Sequence, residues 1–418
     1  MQVCLVSQEY PPDTARGGIG TQTWNKAQQL SRLGHAVDVL SCMAGARNQP
    51  DGLQTERSGG IHLHRMRPPG ENPANPVPLH DPAAYMVGYT WQVLQQLERL
   101  GRERTFDIVN FPEYGAEGFA YQLNRTPHNW IPVIVQLHGP LAMFTERIGW
   151  PERDTPFAQV GDFMEGQSIR LADALMASSA NIADFTAGHY GVEREAIHVV
   201  HCGIDCEVFS PPEPGRRSER PTVLFVGNVE SSKGVKTILE AVLQLRDRHP
   251  GIRLQVLGKG GDLAEELRTR VLKEGAEDCL ELLGYVGSRD RLPDYYRAAH
   301  VMASPADHEV GVANVYVEAM ACACPVVAAD TGGAPEAVRH EETGLLVPPR
   351  DVDATRAALD RILSDSALAR SMGAAGRRRA EAYFRVDHYI GRVLGAYQAA
   401  IERSAEKRTR LGQAVGWS

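Results

Sequence analysis

Two series of short apolar segments, each alternating with amphipathic helical segments, limit the possible folds of this 418-residue chain more than any other feature. The segments of the first series are apolar on both faces and end at Gly, Pro or polar residues, as buried parallel strands do. They are Val3–Ser7, Ala36–Leu40, Asp107–Phe111, Pro132–Leu137, Leu175–Ser178 and Ile197–His201. Helical segments such as Thr21–Leu33 and Ala83–Leu100 lie between them. This alternation predicts a doubly wound parallel sheet.

The pattern breaks at Ser210–Pro221, which has no hydrophobic periodicity and is rich in proline and charge, as a linker is. A second series follows: Thr222–Val226, Leu254–Leu257, Leu280–Leu283, Val301–Ser304, Pro325–Ala328 and Leu345–Val347. A chain of this length is also too long for one ordinary core. We therefore predict two Rossmann-like domains, residues 1–212 and 213–385, joined near residue 215. Residues 386–418 are predicted to form a C-terminal helix that follows the second domain.

Composition argues against several classes of protein. A net charge of -8 argues against a general nucleic-acid binder. No apolar run approaches the roughly eighteen residues of a membrane helix, although peripheral membrane contact stays possible. The first residues, Met1–Ser7, lack the basic flank and cleavage site of a signal peptide, so a cytoplasmic protein is expected. The seven cysteines are scattered without zinc-binding spacing, which predicts buried free thiols.

Glycine-containing loops follow the first strand of each predicted domain. Gly17–Gly20 precedes a helix predicted to open at Thr21, where backbone N–H groups could meet a phosphate or sugar. An ordinary strand-to-helix turn would show the same residues. In the second domain, Gly227–Gly234 places Lys233 where a helix begins, so that its ammonium could meet a diphosphate. The spacing is not that of a P-loop, and a solvated lysine in the first turn of the helix is the alternative.

Acidic side chains follow a strand of the second domain. Glu309 lies in the loop after Val301–Ser304, and Glu318 lies about one turn into a helix that opens near Asn314. Carboxylates accept hydrogen bonds from the vicinal hydroxyls of a ribose or hexose. Favourable interaction with the helix N-terminus is the alternative explanation for acids in such positions.

A histidine and a pair of aspartates complete the candidate residues. His138 follows a strand of the first domain, at the edge of the sheet where open α/β folds bind ligands, although a structural histidine is equally compatible with this position. Asp351 and Asp353 form a D-x-D that resembles a metal site but precedes a helix, which indicates an N-cap instead. We therefore predict no metal site and no cofactor.

Taken in order, these motifs resemble glycosyltransferase family 4, the retaining nucleotide-sugar enzymes with the GT-B fold. The resemblance spans nearly the whole chain and rests on these segments: Gly17–Gly20, Leu33–Val37, His138-Gly139, Ser178-Ser179, His201–Asp205, Phe225–Gly227, Lys233-Gly234, Gly258–Gly261, Gly284–Val286, Glu318–Ala321, Pro325–Val327, Gly332-Gly333 and Thr343–Val347. It implies two Rossmann-like domains facing across a cleft, and a C-terminal helix, residues 386–418, that crosses back to the N-terminal domain. The donor would bind the second domain and the acceptor the first, without a bound metal.

The resemblance also implies roles for individual residues. Glu318 matches the acid that accepts from the nucleotide ribose, and Glu309 resembles the acid that holds donor-sugar hydroxyls. Lys233 matches the lysine that neutralises the leaving diphosphate, and His138 matches the histidine over the donor sugar. His138, Lys233 and Glu309 are thus the expected catalytic residues. The other expected donor-binding residues are Gly18, Gly20, Gly227, Asn228, Gly258, Val286, Gly311, Val312, Ala313, Asn314 and Val315.

Two positions depart from the family pattern. The family usually has arginine beside the lysine of the phosphate site, and the matching residue here is Asn228. Losing that cation could cost on the order of several kcal/mol of transition-state stabilisation unless another group replaces it. In addition, eight residues rather than seven separate Glu309 from Glu318. Counting from Glu318 places the first acid at Val310, whereas counting from Pro305 places it at Glu309, so the sequence leaves both open.

The expected activity is the retaining, metal-independent transfer of a hexose from a nucleotide diphosphate sugar. A UDP- or GDP-sugar is the expected donor, and a hydroxyl of a small molecule or glycan is the expected acceptor. The sequence offers no clear nucleophile. A GT-B epimerase or phosphorylase, and a nucleotide-sugar binding protein without catalysis, are the alternatives.

Overall fold

The computed structural model describes residues 1–12, 14, 18–43, 53–69, 81–126, 128–213, 217–286 and 291–414. The chain divides into two compact units. Unit 1 contains Met1–His201 and Tyr389–Ser418, and unit 2 contains Cys202–His388. Each unit is an α/β domain built on a predominantly parallel sheet, as the sequence predicted.

The sheet of unit 1 has the order β3-β4-β2-β1-β5-β6-β7-β8, and only the β3–β4 pair is antiparallel. Its strands are β1 (Gln2–Val6), β2 (Ala36–Cys42), β3 (Gln54–Ser58), β4 (Ile61–Met66), β5 (Ile108–Pro112), β6 (Val133–Leu137), β7 (Ala174–Ala177) and β8 (Ile197–Val199). The helices are α1 (Gly18–Arg32), α2 (Pro82–Glu103), α3 (Phe119–Leu123), α4 (Leu141–Ile148), α5 (Pro156–Leu171) and α6 (Ala180–Tyr190). The chain reverses its winding direction between β1 and β5, so ligand-binding loops are expected where these two strands end.

The sheet of unit 2 is entirely parallel, with the order β11-β10-β9-β12-β13-β14. Its strands are β9 (Thr222–Val226), β10 (Arg253–Leu257), β11 (Leu280–Gly284), β12 (Val301–Ser304), β13 (Val326–Ala329) and β14 (Gly344–Val347). The helices are α7 (Val235–Gln244), α8 (Asp262–Lys273), α9 (Leu292–Ala298), α10 (Asn314–Ala321), α11 (Ala334–Ala337), α12 (Val352–Ser364) and α13 (Ser366–Arg379). Here the winding direction reverses between β9 and β12, and the loops after these strands carry the predicted site residues.

The boundaries between the units differ from the predicted ones. The chain enters unit 2 at Cys202 rather than after residue 212. The physical reason is that Cys202, Ile204 and Phe209 are buried in a core shared with Tyr296, so the segment before the proline-rich linker already packs as part of unit 2. Unit 2 extends to His388 rather than ending at residue 385.

The C-terminal helix, α14 (Val386–Ala414), is counted with unit 1 from Tyr389 onward. Its Tyr397 hydroxyl donates to Asn110 Oδ1 at 2.9 Å, and Trp130 Nε1 donates to Ser404 Oγ at 2.7 Å. Farther along α14, Lys407 Nζ donates to the backbone oxygen of Ala172 at 2.7 Å. These hydrogen bonds hold α14 against the rest of unit 1.

All seven cysteines are buried free thiols, as predicted from their scattered positions in the sequence.

Candidate functional site

Lys233 and Glu309 meet at the point of unit 2 where the winding direction reverses. Lys233 ends a 3-10 turn after β9, and Glu309 lies in the loop after β12. The Lys233 Nζ atom lies 3.3 Å from Glu309 Oε1 and 3.4 Å from Oε2. The lysine side chain is 37% exposed and the glutamate side chain 11% exposed, so the pair has one solvent-facing member. The structure thus brings together two of the residues that the sequence singled out, 76 positions apart.

Backbone contacts hold these two loops against each other. Asp307 N donates to Ser232 O at 2.8 Å. Gly234 follows Lys233 with a φ of +78°, and a Cβ atom there would lie 2.2 Å from Pro305 O. Only glycine combines this left-handed conformation with such a close approach. Gly234 therefore lets the loop after β12 pass directly beside the residue that carries the ammonium group, Lys233.

The loop after β13 supports Glu309 from the other side. Gly332 has a φ of +58°, and an added Cβ would lie 1.8 Å from Glu309 O. Gly333 N donates to the same oxygen at 2.7 Å, and a Cβ on Gly333 would lie 2.4 Å from the carbonyl carbon of Gly311. The sequence motif contains these glycines without indicating their role, because the role depends on a neighbour over twenty positions away. They fix the backbone that carries the carboxylate.

The sequence left open whether Glu309 or Val310 occupies the position of the first acid in the motif. The structure has the Glu309 carboxylate beside Lys233, and α10 begins later, at Asn314. The extra residue is accommodated in the non-helical loop between β12 and α10. Glu309 is therefore the carboxylate of this loop that faces the lysine.

The start of α10 offers backbone N–H groups. Ala313 is the N-cap residue and makes no side-chain capping bond, and the first N–H groups of a helix lack intrahelical acceptors. Gly311, Ala313, Asn314 and Val315 are partly exposed, whereas Val312 is buried. An anion near this helix start would meet free N–H groups and the positive end of the helix dipole.

Glu318 lies farther along α10 and is only 3% exposed. Its Oε2 atom accepts a hydrogen bond of 2.8 Å from the Tyr296 hydroxyl. Tyr296 comes from α9 and was not identified from the sequence, where a tyrosine in a short helix looks like a core residue. A carboxylate has two oxygen atoms that can each accept more than one hydrogen bond, so the Tyr296 bond does not by itself prevent Glu318 from accepting from a ligand.

The loops after β9, β10 and β11 lie at the edge of the unit 2 sheet where its parallel strands end. A Cβ on Gly258 would lie 1.7 Å from Gly227 O, so the β9 and β10 loops touch through glycine backbones. A cavity of about 410 Å³ opens beside them and is lined in part by Val229, Gly258 and Gly284. Asn228 is exposed, and Val286, two residues past β11, is partly buried against the core.

In unit 1, His138 follows β6 and is held through its backbone. The N–H groups of His138 and Gly139 both donate to Glu113 Oε1. Burial, with a smaller contribution from the Lys26 charge, lowers the pKa of the His138 imidazole to about 3, so the ring is neutral at pH 7. A neutral imidazole has one donor and one acceptor nitrogen for polar ligand groups.

Lys26 was missed by sequence reasoning. Its ammonium is buried, donates to Asn110 Oδ1 at 2.6 Å and to Gln136 Oε1, and burial lowers its pKa to about 7. It lies on α1 among residues that gave no signal beyond helical periodicity. The surrounding amides are uncharged and replace the lost hydration of the ammonium only partly, so desolvation is the main cause of the lowered pKa.

Helix α1 begins at Gly18 rather than at Thr21, so Gly18 and Gly20 belong to its first turn. Gly18 has open space around it, whereas a Cβ on Gly20 would lie 2.9 Å from Glu9 Cβ. Gly17 lies outside the described residues. The loop after β1 thus passes close to the helix at Gly20.

The D-x-D segment is an N-cap, as predicted. Asp351 accepts a hydrogen bond of 2.8 Å from Ala354 N at the start of α12, and Asp353 is 3.4 Å from Arg356 on the surface. In the part of the chain that the structure describes, no three His, Cys, Asp or Glu side chains are grouped so that they could hold a metal ion. Over the same residues, no helix has the length and apolar character needed to cross a membrane.

Comparison with known proteins agrees with this architecture. Residues 16–208 match the family model described as Glycosyltransferase Family 4, and residues 209–379 match the model for glycosyl transferases group 1. A D-inositol 3-phosphate glycosyltransferase of Jonesia denitrificans is 27% identical over 96% of this chain and 93% of its own length. A glycogen synthase of Mycobacterium tuberculosis is 27% identical over 98% of both chains.

Solved structures show the same fold. A sucrose-phosphate synthase from Thermosynechococcus elongatus superimposes with a TM-score of 0.76 at 22% identity, covering 99% of this chain and 100% of that one. Anabaena HepE, solved in complex with UDP-glucose, gives a TM-score of 0.72 at 18% identity, covering 96% of this chain and 100% of that one.

Two α/β units, each built on a predominantly parallel sheet, and the likeness to these solved structures define the GT-B fold. With the two halves matched by the two models, the chain belongs to glycosyltransferase family 4.

Proposed function

We propose that this protein is a retaining glycosyltransferase that needs no metal ion and moves a hexose from a UDP- or GDP-sugar to a hydroxyl group. Unit 2 binds the donor, and unit 1 binds a small-molecule or glycan acceptor. The observation that carries the proposal is the Lys233–Glu309 pair, because it places a cation and a carboxylate within 3.3 Å of each other. A sugar diphosphate needs both: a cation for the phosphates and an acceptor for the sugar hydroxyls.

Lys233 acts on the leaving group in this proposal. Transfer breaks the bond between the sugar carbon and the diphosphate oxygen and forms a bond from that carbon to the acceptor oxygen on the same face. The acceptor proton leaves with the diphosphate. Negative charge accumulates on the phosphates during this step, and a fixed ammonium stabilises it. The N–H groups at the start of α10, from Gly311 to Val315, add donors to the same charge.

The remaining predicted residues bind the donor. Glu318 accepts from the ribose hydroxyls while Tyr296 holds its other side, and a backbone amide near Val286 meets the base. Gly227, Asn228 and Gly258 form the backbone beside the diphosphate. Glycine favours such a site, because without a Cβ atom it lets a ligand approach the main chain closely.

The family resemblance also implies that three residues of unit 1 take part in donor binding. His138 would hydrogen-bond donor-sugar hydroxyls, and its neutral imidazole has the donor and acceptor nitrogens for this role. Gly18 and Gly20 would contact the phosphates.

A donor screen followed by a transfer assay tests the proposal. UDP-, GDP- and ADP-sugars are compared by thermal shift, since a ligand that binds only the native state raises its melting temperature. Turnover of the stabilising donor is then measured with Lys233→Ala and with Lys236→Ala as the matched control. Lys236 lies on α7 with half of its side chain exposed and pairs with Glu266. We expect Lys233→Ala to lower turnover on the order of a hundredfold, with little change for the control.

Other results would contradict specific parts of the proposal. Donor binding without transfer to any acceptor identifies a binding protein. Equal losses in the two lysine variants remove Lys233 from the reaction. Activity abolished by EDTA and restored by a divalent ion overturns the metal-free mechanism.

A further inference from the structure

A separate pocket lies in unit 1 where β1 and β5 end, the point at which the sheet reverses its winding direction. Its volume is about 380 Å³, near the lower end of the roughly 300–1,000 Å³ typical of small-molecule sites. Its polar lining comes from the end of β1, the start of α2 and the turn after β5: Gln8, Asp81, Tyr85, Tyr89, Tyr114 and Glu117. Open α/β sheets bind ligands at this location.

The polar groups of the pocket are connected to one another. Gln8 N donates to Glu117 Oε1 at 2.9 Å, and Gln8 Nε2 donates to the Tyr85 hydroxyl. The rings of Tyr85 and Tyr89 stack with centroids 6.3 Å apart. These groups offer hydrogen-bonding hydroxyl, amide and carboxyl atoms, together with aromatic faces for the C–H surface of a sugar or cyclitol.

The charge of the pocket restricts its ligand. Among the lining residues that the structure describes, none is Lys, Arg or His. Asp81 contributes a negative charge and caps α2 by accepting from Ala83 N at 2.8 Å. Glu117 is almost completely buried and has no positive charge in either protonation state, so it cannot compensate an anionic ligand. A phosphate group entering this pocket would lose its hydration without gaining a cation from any of the described lining residues, which is strongly unfavourable.

We infer that this pocket binds the acceptor, and that the acceptor is a neutral polyhydroxyl compound rather than a phosphate ester. The inference rests on the proposed function, which assigns the acceptor to unit 1. It distinguishes this chain from relatives whose name, D-inositol 3-phosphate glycosyltransferase, contains a phosphorylated compound. Phe157, also in the lining, extends the apolar side of the pocket towards Trp150, whose ring lies 6.1 Å away.

Paired ligands test the inference without a donor or turnover. Saturation-transfer NMR on the full chain compares myo-inositol with inositol 3-phosphate, glucose with glucose 6-phosphate, and fructose with fructose 6-phosphate. We expect at least one neutral compound to bind at least tenfold more tightly than its phosphate ester. Tyr85→Phe and Glu117→Gln should weaken that binding severalfold. Tyr121→Phe is the matched control, since Tyr121 is buried in the same unit but does not line the pocket.

Every other outcome contradicts the inference. It fails if a phosphate ester binds as tightly as its neutral partner, if no neutral compound binds, or if the pocket variants behave like Tyr121→Phe. Donor binding by unit 2 is measured separately by the thermal-shift screen, so failure of the pocket assignment leaves the donor assignment standing. Loss of donor binding would refute the proposed function while the ligand pairs still report on the pocket.

Discussion

Replacing Glu117 with Gln should stabilise the protein at alkaline pH and leave its stability near pH 5 almost unchanged. Burial raises the pKa of Glu117 from 4.5 to about 8, and the hydrogen bond from Gln8 N opposes that rise only partly. A carboxyl whose pKa is higher in the folded state holds a proton there that the unfolded chain has already released. Stability therefore falls as pH rises from about 4.5 towards 8 and then levels off.

The size of the effect follows from the width of that pH window. Each pH unit of difference corresponds to about 1.4 kcal/mol, so a shift of this size implies roughly 5 kcal/mol of lost stability at pH 9. Gln carries no charge at any pH, and its amide oxygen can still accept from Gln8 N. We expect the free energy of unfolding of the variant to be within about 1 kcal/mol of wild type at pH 5. At pH 9 it should exceed wild type by on the order of 3–5 kcal/mol.

Urea unfolding followed by tryptophan fluorescence measures this difference. The four tryptophans among the described residues, Trp24, Trp91, Trp130 and Trp150, all lie in unit 1, so their signal reports on the unit that contains Glu117. Glu98→Gln, at an exposed position of α2, is the matched control and should show no trend with pH. A difference between the variant and wild type that stays constant from pH 5 to 9, or that turns against the variant at high pH, would show that the native state does not hold the proton.

Three further substitutions test the site in unit 2. Glu318→Ala should weaken binding of the free nucleotide by about 1.5–3 kcal/mol, the usual contribution of a hydrogen bond to a charged group, and unchanged calorimetric affinity would remove it from the ribose site. Glu309→Gln should weaken binding of the whole donor while changing affinity for the bare nucleotide little, and equal losses for both ligands would contradict a sugar contact. Asn228→Arg should tighten diphosphate binding with an unchanged melting temperature, since Asn228 is exposed, and an unchanged or weaker affinity in calorimetry would show that the site does not accept a second cation.

Most of the two sheets could be predicted from the sequence, because buried parallel strands are apolar on both faces. All twelve predicted strands occur within two residues of the expected bounds. The pair β3 and β4 was missed for a physical reason. Gln54–Ser58 is an edge strand with mostly exposed polar side chains, and Ile61–Met66 places two histidines and an arginine between its apolar residues. Neither shows the apolar pattern on which the prediction relied.

The candidate site was predictable only as a set of residue types. Sequence spacing indicated that Lys233 and Glu309 each follow a strand, but not that the strands are neighbours. The order β9-β12, which makes them neighbours, arises from the reversal of winding direction. Tyr296 and Lys26 were missed because their roles come from contacts across the fold. No local pattern separates a tyrosine bound to a carboxylate from one that only packs.

The Lys233–Glu309 pair gives the physical reason for the prediction at Glu309. Without a ligand, the lysine compensates a carboxylate that is almost buried. A diphosphate would draw the ammonium away, and a carboxylate left without its partner in a buried position is unfavourable. Sugar hydroxyls can replace the ammonium as hydrogen-bond donors, so the whole donor satisfies both side chains whereas a bare nucleotide diphosphate satisfies only the lysine. Recognition of phosphate and of sugar is therefore coupled through one ion pair. Glu309→Gln removes the charged acceptor of the sugar hydroxyls, so it should weaken binding of the whole donor, and it also removes the charge that a bare nucleotide would leave uncompensated, so it should not weaken binding of the nucleotide.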